Sequence, residues 1–170
     1  MDMEKISVRS VESVVLSAIK NEKESLEMYR KLREEIKTPF LKETLNFLVN
    51  EESKHLQYLQ EFYKKRFGKE PKLHDDADLD IIPVDIYEKS GALKGILYIL
   101  EEAMRFEKES AEFYHRLAKR FTDDKTRMIF EYLSQMEEDH YNMLKMEYEN
   151  YAKFHDIMHD ESFLNLEKVY

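Results

Sequence analysis

The chain has 170 residues, a length for one domain or two very small ones; 42% are hydrophobic, 37% are charged and the net charge is -9. That acidic balance argues against nucleic acid as a partner, because phosphate contacts need a basic surface, and it favours cations. The absence of Cys excludes disulfides, thiolate catalysis, iron–sulfur clusters and any four-cysteine metal site.

Only 3 Gly and 3 Pro interrupt the chain, so long helices are expected. The opening MDMEKISVRS lacks the apolar segment of a signal peptide, and no apolar run is long enough for a membrane span. The expectation is a cytoplasmic protein without a membrane partner. Val11, Val15, Ala18, Glu22, Ser25, Tyr29, Leu32 and Ile36 recur at alternating spacings of four and three, the seam of an amphipathic helix in a bundle. After a break at Lys37, Thr38-Pro39 reads as an N-cap followed by Pro at the first helical position. The second seam is Leu41, Leu45, Leu48, Glu52, His55, Leu59 and Phe62, and Gly68 is the expected C-terminal cap.

Residues 68–90 contain two prolines and an acidic run and are expected as a linker, with Ile81, Ile82, Val84 and Ile86 holding it to the outside. Its length exceeds a helix–helix turn and allows a crossover, so the second and third helices need not be antiparallel neighbours. Ile96, Leu100, Ala103, Glu107, Ser110, Tyr114, Leu117 and Phe121 form the third seam. Thr122-Asp123-Asp124 then reads as a helix start. The fourth seam is Phe130, Leu133, Glu137, His140, Leu144 and Tyr151, and residues 155–170 read as a tail with a short helix. The expected fold is an all-α four-helix bundle with a long crossover between helices 2 and 3.

The halves repeat. One constant shift along the chain carries Glu22 to Glu107, Glu52 to Glu137 and His55 to His140, and the same shift carries Thr38 to Asp123. The chain therefore reads as a duplicated helix pair, residues 8–67 and 93–152, within one domain. Each copy places a lone Glu in its first seam and a Glu-x-x-His in its second. Residues three apart on a helix differ by about 60° in direction and ~4.5 Å along the axis, so Glu52 with His55, and Glu137 with His140, can converge on one point.

Four carboxylates in apolar seams cannot all stay ionised without compensating positive charge. Two bound metal ions supply it, and an oxygen-rich set with few imidazoles suits iron or manganese better than a closed zinc site. The same ligand pattern is a general description of ferritin-like di-metal carboxylate proteins. Glu51 also stands within reach of His55, but its counterpart in the second copy is Met136, so the repeat selects Glu52. Glu24 and Glu27, with counterparts Glu109 and Glu112, fall about 200° and 140° from Glu22 around the helix and should face solvent or a neighbour's flank. A lone Glu, or a lone Glu-x-x-His, on a Glu-rich helix is ordinarily surface charge. Six such residues in four apolar seams at one constant shift are not. His155 and His159 read as part of a solvated tail, and His74 and His115 as exposed.

At EKESLEMY, EESKH, EKESAEFY and MEEDH the chain resembles the rubrerythrin-like branch of the ferritin-like superfamily. The resemblance covers residues from about 8 to 155. It implies a di-iron centre held by Glu22, Glu52, His55, Glu107, Glu137 and His140, with Tyr29 and Tyr114 as hydrogen-bond donors around it. It implies reduction of peroxide or dioxygen, two iron ions as cofactor (manganese or a mixed pair being alternatives) and a separate electron-donor protein, since the cysteines of a rubredoxin-like domain are absent. Where the family carries an extra ligand Glu one turn after the third-helix Glu, this chain has Ser110. Iron oxidation for storage, a di-manganese catalase and a non-enzymatic metal-binding bundle are the competing readings, and a monomer or homodimer is the expected assembly.

Overall fold

The structure is a computed structural model that describes residues 8–73 and 92–159. Four long helices, and no strand, occur among the described residues: α1 (Val8–Glu35), α2 (Pro39–Phe67), α3 (Ala92–Ala118) and α4 (Asp124–His159). The chain divides into two compact units, Met1–Ile81 and Ile82–Tyr170. Each unit contains one helical hairpin. His74, Ile81, Ile82, Val84 and Ile86, and residues 160–170 of the expected tail, lie outside the described residues. No helix among the described residues is long and apolar enough to cross a membrane.

In the first hairpin α1 packs on α2 across a three-residue turn. Thr38 is extended, with φ -68° and ψ 116°, and Pro39 opens α2, where its missing N–H costs no helical bond. The carbonyl of Thr38 accepts the Lys42 N–H at 3.0 Å, which makes Thr38 the last residue before the helix. At the far end Gly68 takes the left-handed conformation, φ 68°, and its N–H donates to the Lys64 carbonyl at 2.9 Å. A side chain bearing Cβ adopts that φ at a steric cost. Val15, Ala18 and Leu32 of α1, with Ile36 just after it, meet Leu41, Leu45, Leu48 and Leu59 of α2 in the buried seam. Each fully buried Leu or Ile contributes roughly 1.5–3 kcal/mol.

The seam departs from the expected pattern at its end. Tyr63, not Phe62, is the buried residue there. The Tyr63 hydroxyl donates to Glu12 Oε1 at 2.5 Å, and Lys69 Nζ approaches the same carboxylate oxygen at 2.7 Å. Burial, followed by the hydrogen bond to Glu12, pushes the Tyr63 phenol up to about 12. Lys69 first, then Tyr63, holds the Glu12 carboxyl below its ordinary value.

The second hairpin repeats the plan with different chemistry at the turn. Asp123 caps α4 with its side chain: Oδ1 accepts the Thr126 N–H at 3.0 Å and the Thr126 hydroxyl at 2.8 Å. Ile96, Leu100, Ala103 and Leu117 of α3, with Phe121 from the turn, face Phe130, Leu133 and Leu144 of α4. Phe130 stacks between Tyr114 and Phe121, with ring centroids 6.1 and 5.4 Å away. α4 continues to His159, past the start of the expected tail at 155. Residues 152–159 contain neither Gly nor Pro, so nothing local stops the helix.

Two stability measurements follow. Asp123→Ala is expected to destabilise the protein by about 1 kcal/mol in urea unfolding, and Thr38→Ala by less. Thr38 makes no side-chain cap bond, so the difference between the two variants reads the cap directly. For Tyr63 the folded pKa lies above the unfolded value of 10.0, so its stabilisation is complete below pH 10 and disappears as pH rises toward 12. Tyr63→Phe should remove that alkaline loss, and an unchanged alkaline profile would assign it to another group.

Candidate metal centre

Glu22 sits midway along α1, at 0% exposure between Ala18 and Tyr29 in the seam. Its neighbours across the hairpin are the two polar residues of the α2 seam, Glu52 at 1% and His55 at 4%. His55 Nδ1 lies 3.3 Å from Glu22 Oε2 and 3.9 Å from Glu52 Oε2. The i, i+3 spacing brings Glu52 and His55 to the same helical face, and the packing of α1 supplies Glu22. The second hairpin builds the same trio. Glu107 is 3% exposed, Glu137 0% and His140 3%. His140 Nδ1 lies 3.6 Å from Glu107 Oε2 and 3.3 Å from Glu137 Oε2. Within each trio every residue offers a ligand atom within 4.8 Å of the others.

Of the carboxylates weighed against these six, Glu51 is half-buried and paired with Lys54, and it still offers an oxygen within 4.8 Å of a His55 ring nitrogen. Glu24 pairs with Lys20, Glu109 with Arg105 and Glu112 with Arg116, all one helical turn away. Tyr29 and Tyr114, seven residues after the lone glutamates, are buried at 1% and 0%. Ser25 and Ser110 are half-buried, and His115 is exposed as expected. His155 and His159 fall in the last turns of α4, and their side chains lie outside the described residues.

The donor set fits a divalent cation. Two ionised carboxylates 4 Å apart repel by an amount on the order of 4 kcal/mol at an effective dielectric constant of 20. Protonating the histidine would leave each trio with a net negative charge. One divalent ion per trio balances two carboxylates and leaves the imidazole neutral, the form in which it ligates metal. Four carboxylates and two imidazoles are the donors of oxygen-rich iron and manganese sites.

Sequence periodicity identifies all six of these residues. It misses the Tyr63–Glu12 pair, because a strict alternation of four and three selects Phe62. The signal that finds Tyr63 is the repeat: Tyr148 is its counterpart in the second copy, and the Tyr148 hydroxyl reaches Glu101 Oε1 at 3.5 Å.

The sequence profile of the rubrerythrin family matches residues 13–148. A hypothetical protein from Pyrococcus furiosus is 31% identical, with a TM-score of 0.71 over 91% of this chain and 98% of that one. CopM in its Cu(II)-bound form is 10% identical, with a TM-score of 0.62 over 82% of this chain and 96% of that one, a likeness of fold alone. No curated protein matches the chain. The profile match and the two buried carboxylate–histidine trios together indicate a di-metal site in an all-α, ferritin-like fold.

Replacing Glu52 and Glu137 together by Ala should abolish stoichiometric metal binding while far-ultraviolet circular dichroism stays that of a helical protein. Two ions per chain retained by the double variant would place the ligands elsewhere.

Proposed function

Because the chain belongs to the rubrerythrin family, we propose that its two trios hold a pair of iron ions and that the protein reduces peroxide or dioxygen. The observation that carries this reading is the matched pair of buried trios, each with two carboxylates and one imidazole. Two ferrous ions, when bound, supply the two electrons that convert peroxide and two protons into two waters. A redox-inert ion such as zinc has no such electrons to give.

The chain's own residues do the rest. Glu22, Glu52 and His55 hold one set of ligand atoms, and Glu107, Glu137 and His140 the other. Glu22, Glu52, Glu107 and Glu137 would supply the carboxylate oxygens to the ions and balance their charge. Leu48, Leu133 and Phe130, all fully buried, keep bulk water from the seams. Tyr29 and Tyr114, both buried, orient the carboxylates by donating hydrogen bonds from their hydroxyls. Ser110 stands where the family has a further carboxylate, so that position supplies no carboxylate ligand. With no Cys in the chain, electrons come from a separate donor protein in the cytoplasm. The protein acts as a monomer or homodimer.

Metal analysis of protein from its native source should find about two irons per chain. The reduced protein should then consume hydrogen peroxide faster than it consumes dioxygen. Resident manganese with peroxide disproportionation would move the reading to a catalase. Solution scattering from a particle of many subunits would move it to iron storage.

A further inference from the structure

The seam between α3 and α4 is open on one flank. A groove of about 340 Å³ runs along it, with Lys108, Ala111 and His115 on one side and Ser134, Glu138 and Tyr141 on the other. Its floor is Ala111 and Ser134, where the Ser134 hydroxyl donates to the Ala111 carbonyl at 2.9 Å. Ala111 lies one turn after Glu107, and Ser134 three residues before Glu137, so the floor stands beside the second trio.

The internal repeat provides a control for this groove. At the equivalent positions of the first copy, Ala111 and Ser134 become Leu26 and Val49, and Tyr141 becomes Leu56. Leu26 and Val49 are buried, at 4% and 6% exposure. The two hairpins therefore carry the same trio behind different walls. In the first, two branched apolar side chains fill the flank of the seam. In the second, a methyl and a hydroxymethyl group leave it open.

We infer that this groove is the entry port through which a small oxidant reaches the second hairpin's trio, and that Ala111 and Ser134 set the size it admits. The nature of the oxidant rests on the function proposed above. The rim carries both signs of charge: Lys108 stands against Glu138, and Glu112 is paired with Arg116, so neither sign dominates. Tyr141 and His115 add hydrogen-bonding groups. A small, neutral, hydrogen-bonding molecule suits that lining, and peroxide is of this class. At about 30 Å³ per water the groove takes several such molecules.

The test closes the port with the first hairpin's own residues, Ala111→Leu with Ser134→Val, in the full chain loaded with ferrous ion. Nitric oxide, a small neutral probe whose ferrous adduct absorbs visible light, reads entry by stopped flow without any turnover. The expected result is an unchanged iron content, at least a tenfold slower nitric oxide on-rate, and a parallel fall in peroxide consumption. The converse pair, Leu26→Ala with Val49→Ser, should speed entry at least twofold. An iron-loaded Ala111→Leu, Ser134→Val protein that binds nitric oxide as fast as wild type overturns the port. If that double variant loses iron, Ser134→Val alone and the converse pair decide, and an unchanged on-rate in both overturns it. Wild-type protein that binds nitric oxide through the port yet leaves peroxide unreduced supports the port and overturns the peroxide reading. Wild-type protein that takes up no iron overturns both.

Discussion

Each hairpin is organised around a pair of carboxylates in a place where water cannot reach them. Glu22 and Glu52 in the first hairpin, and Glu107 and Glu137 in the second, are at most 3% exposed. Buried like charges repel and lose their hydration, so the apolar seams on either side work against them until a cation arrives. A divalent ion bound there would reverse the sign of that energy and couple metal binding to the packing of both helices.

The rest of each hairpin makes that arrangement tolerable. Apolar seams of Leu, Ile and aromatic residues flank the polar trio on both sides, so the cost falls within otherwise well-packed helices. The turns use different means to the same end. Pro39 and an extended Thr38 start α2, whereas Asp123 starts α4 by accepting the Thr126 N–H. Both solutions satisfy the first turn of a helix, and both set the rotation at which the following Glu-x-x-His enters the seam. Duplication thus preserved the geometry of the trio while its supports diverged.

Divergence between the copies is informative because the trio itself is held constant. Tyr63 and Tyr148 keep the same position and each reaches a carboxylate of the preceding helix, but Glu12 and Glu101 come from positions one helical turn apart in the repeat. Leu26 and Val49 against Ala111 and Ser134 is a larger change, from a filled flank to an open one. Two binding sites of equal donor chemistry can differ in access without any change to a ligand.

Sequence alone determined the helical class, the turns at Thr38-Pro39 and at Asp123, the cap at Gly68 and the six metal-type residues. These depend on local chemistry and on a period that an amphipathic helix must repeat, and the constant shift between the copies removed the ambiguity between Glu51 and Glu52. Tertiary structure decided what periodicity resolves only to within one residue or one turn. Adjacent helical residues point about 100° apart, so the crossing of α1 over α2, not the spacing, chose Tyr63 over Phe62 for the core. Likewise the groove left beside Ala111 and Ser134 depends on which neighbouring surface each side chain meets, and that is set by how the helices pack.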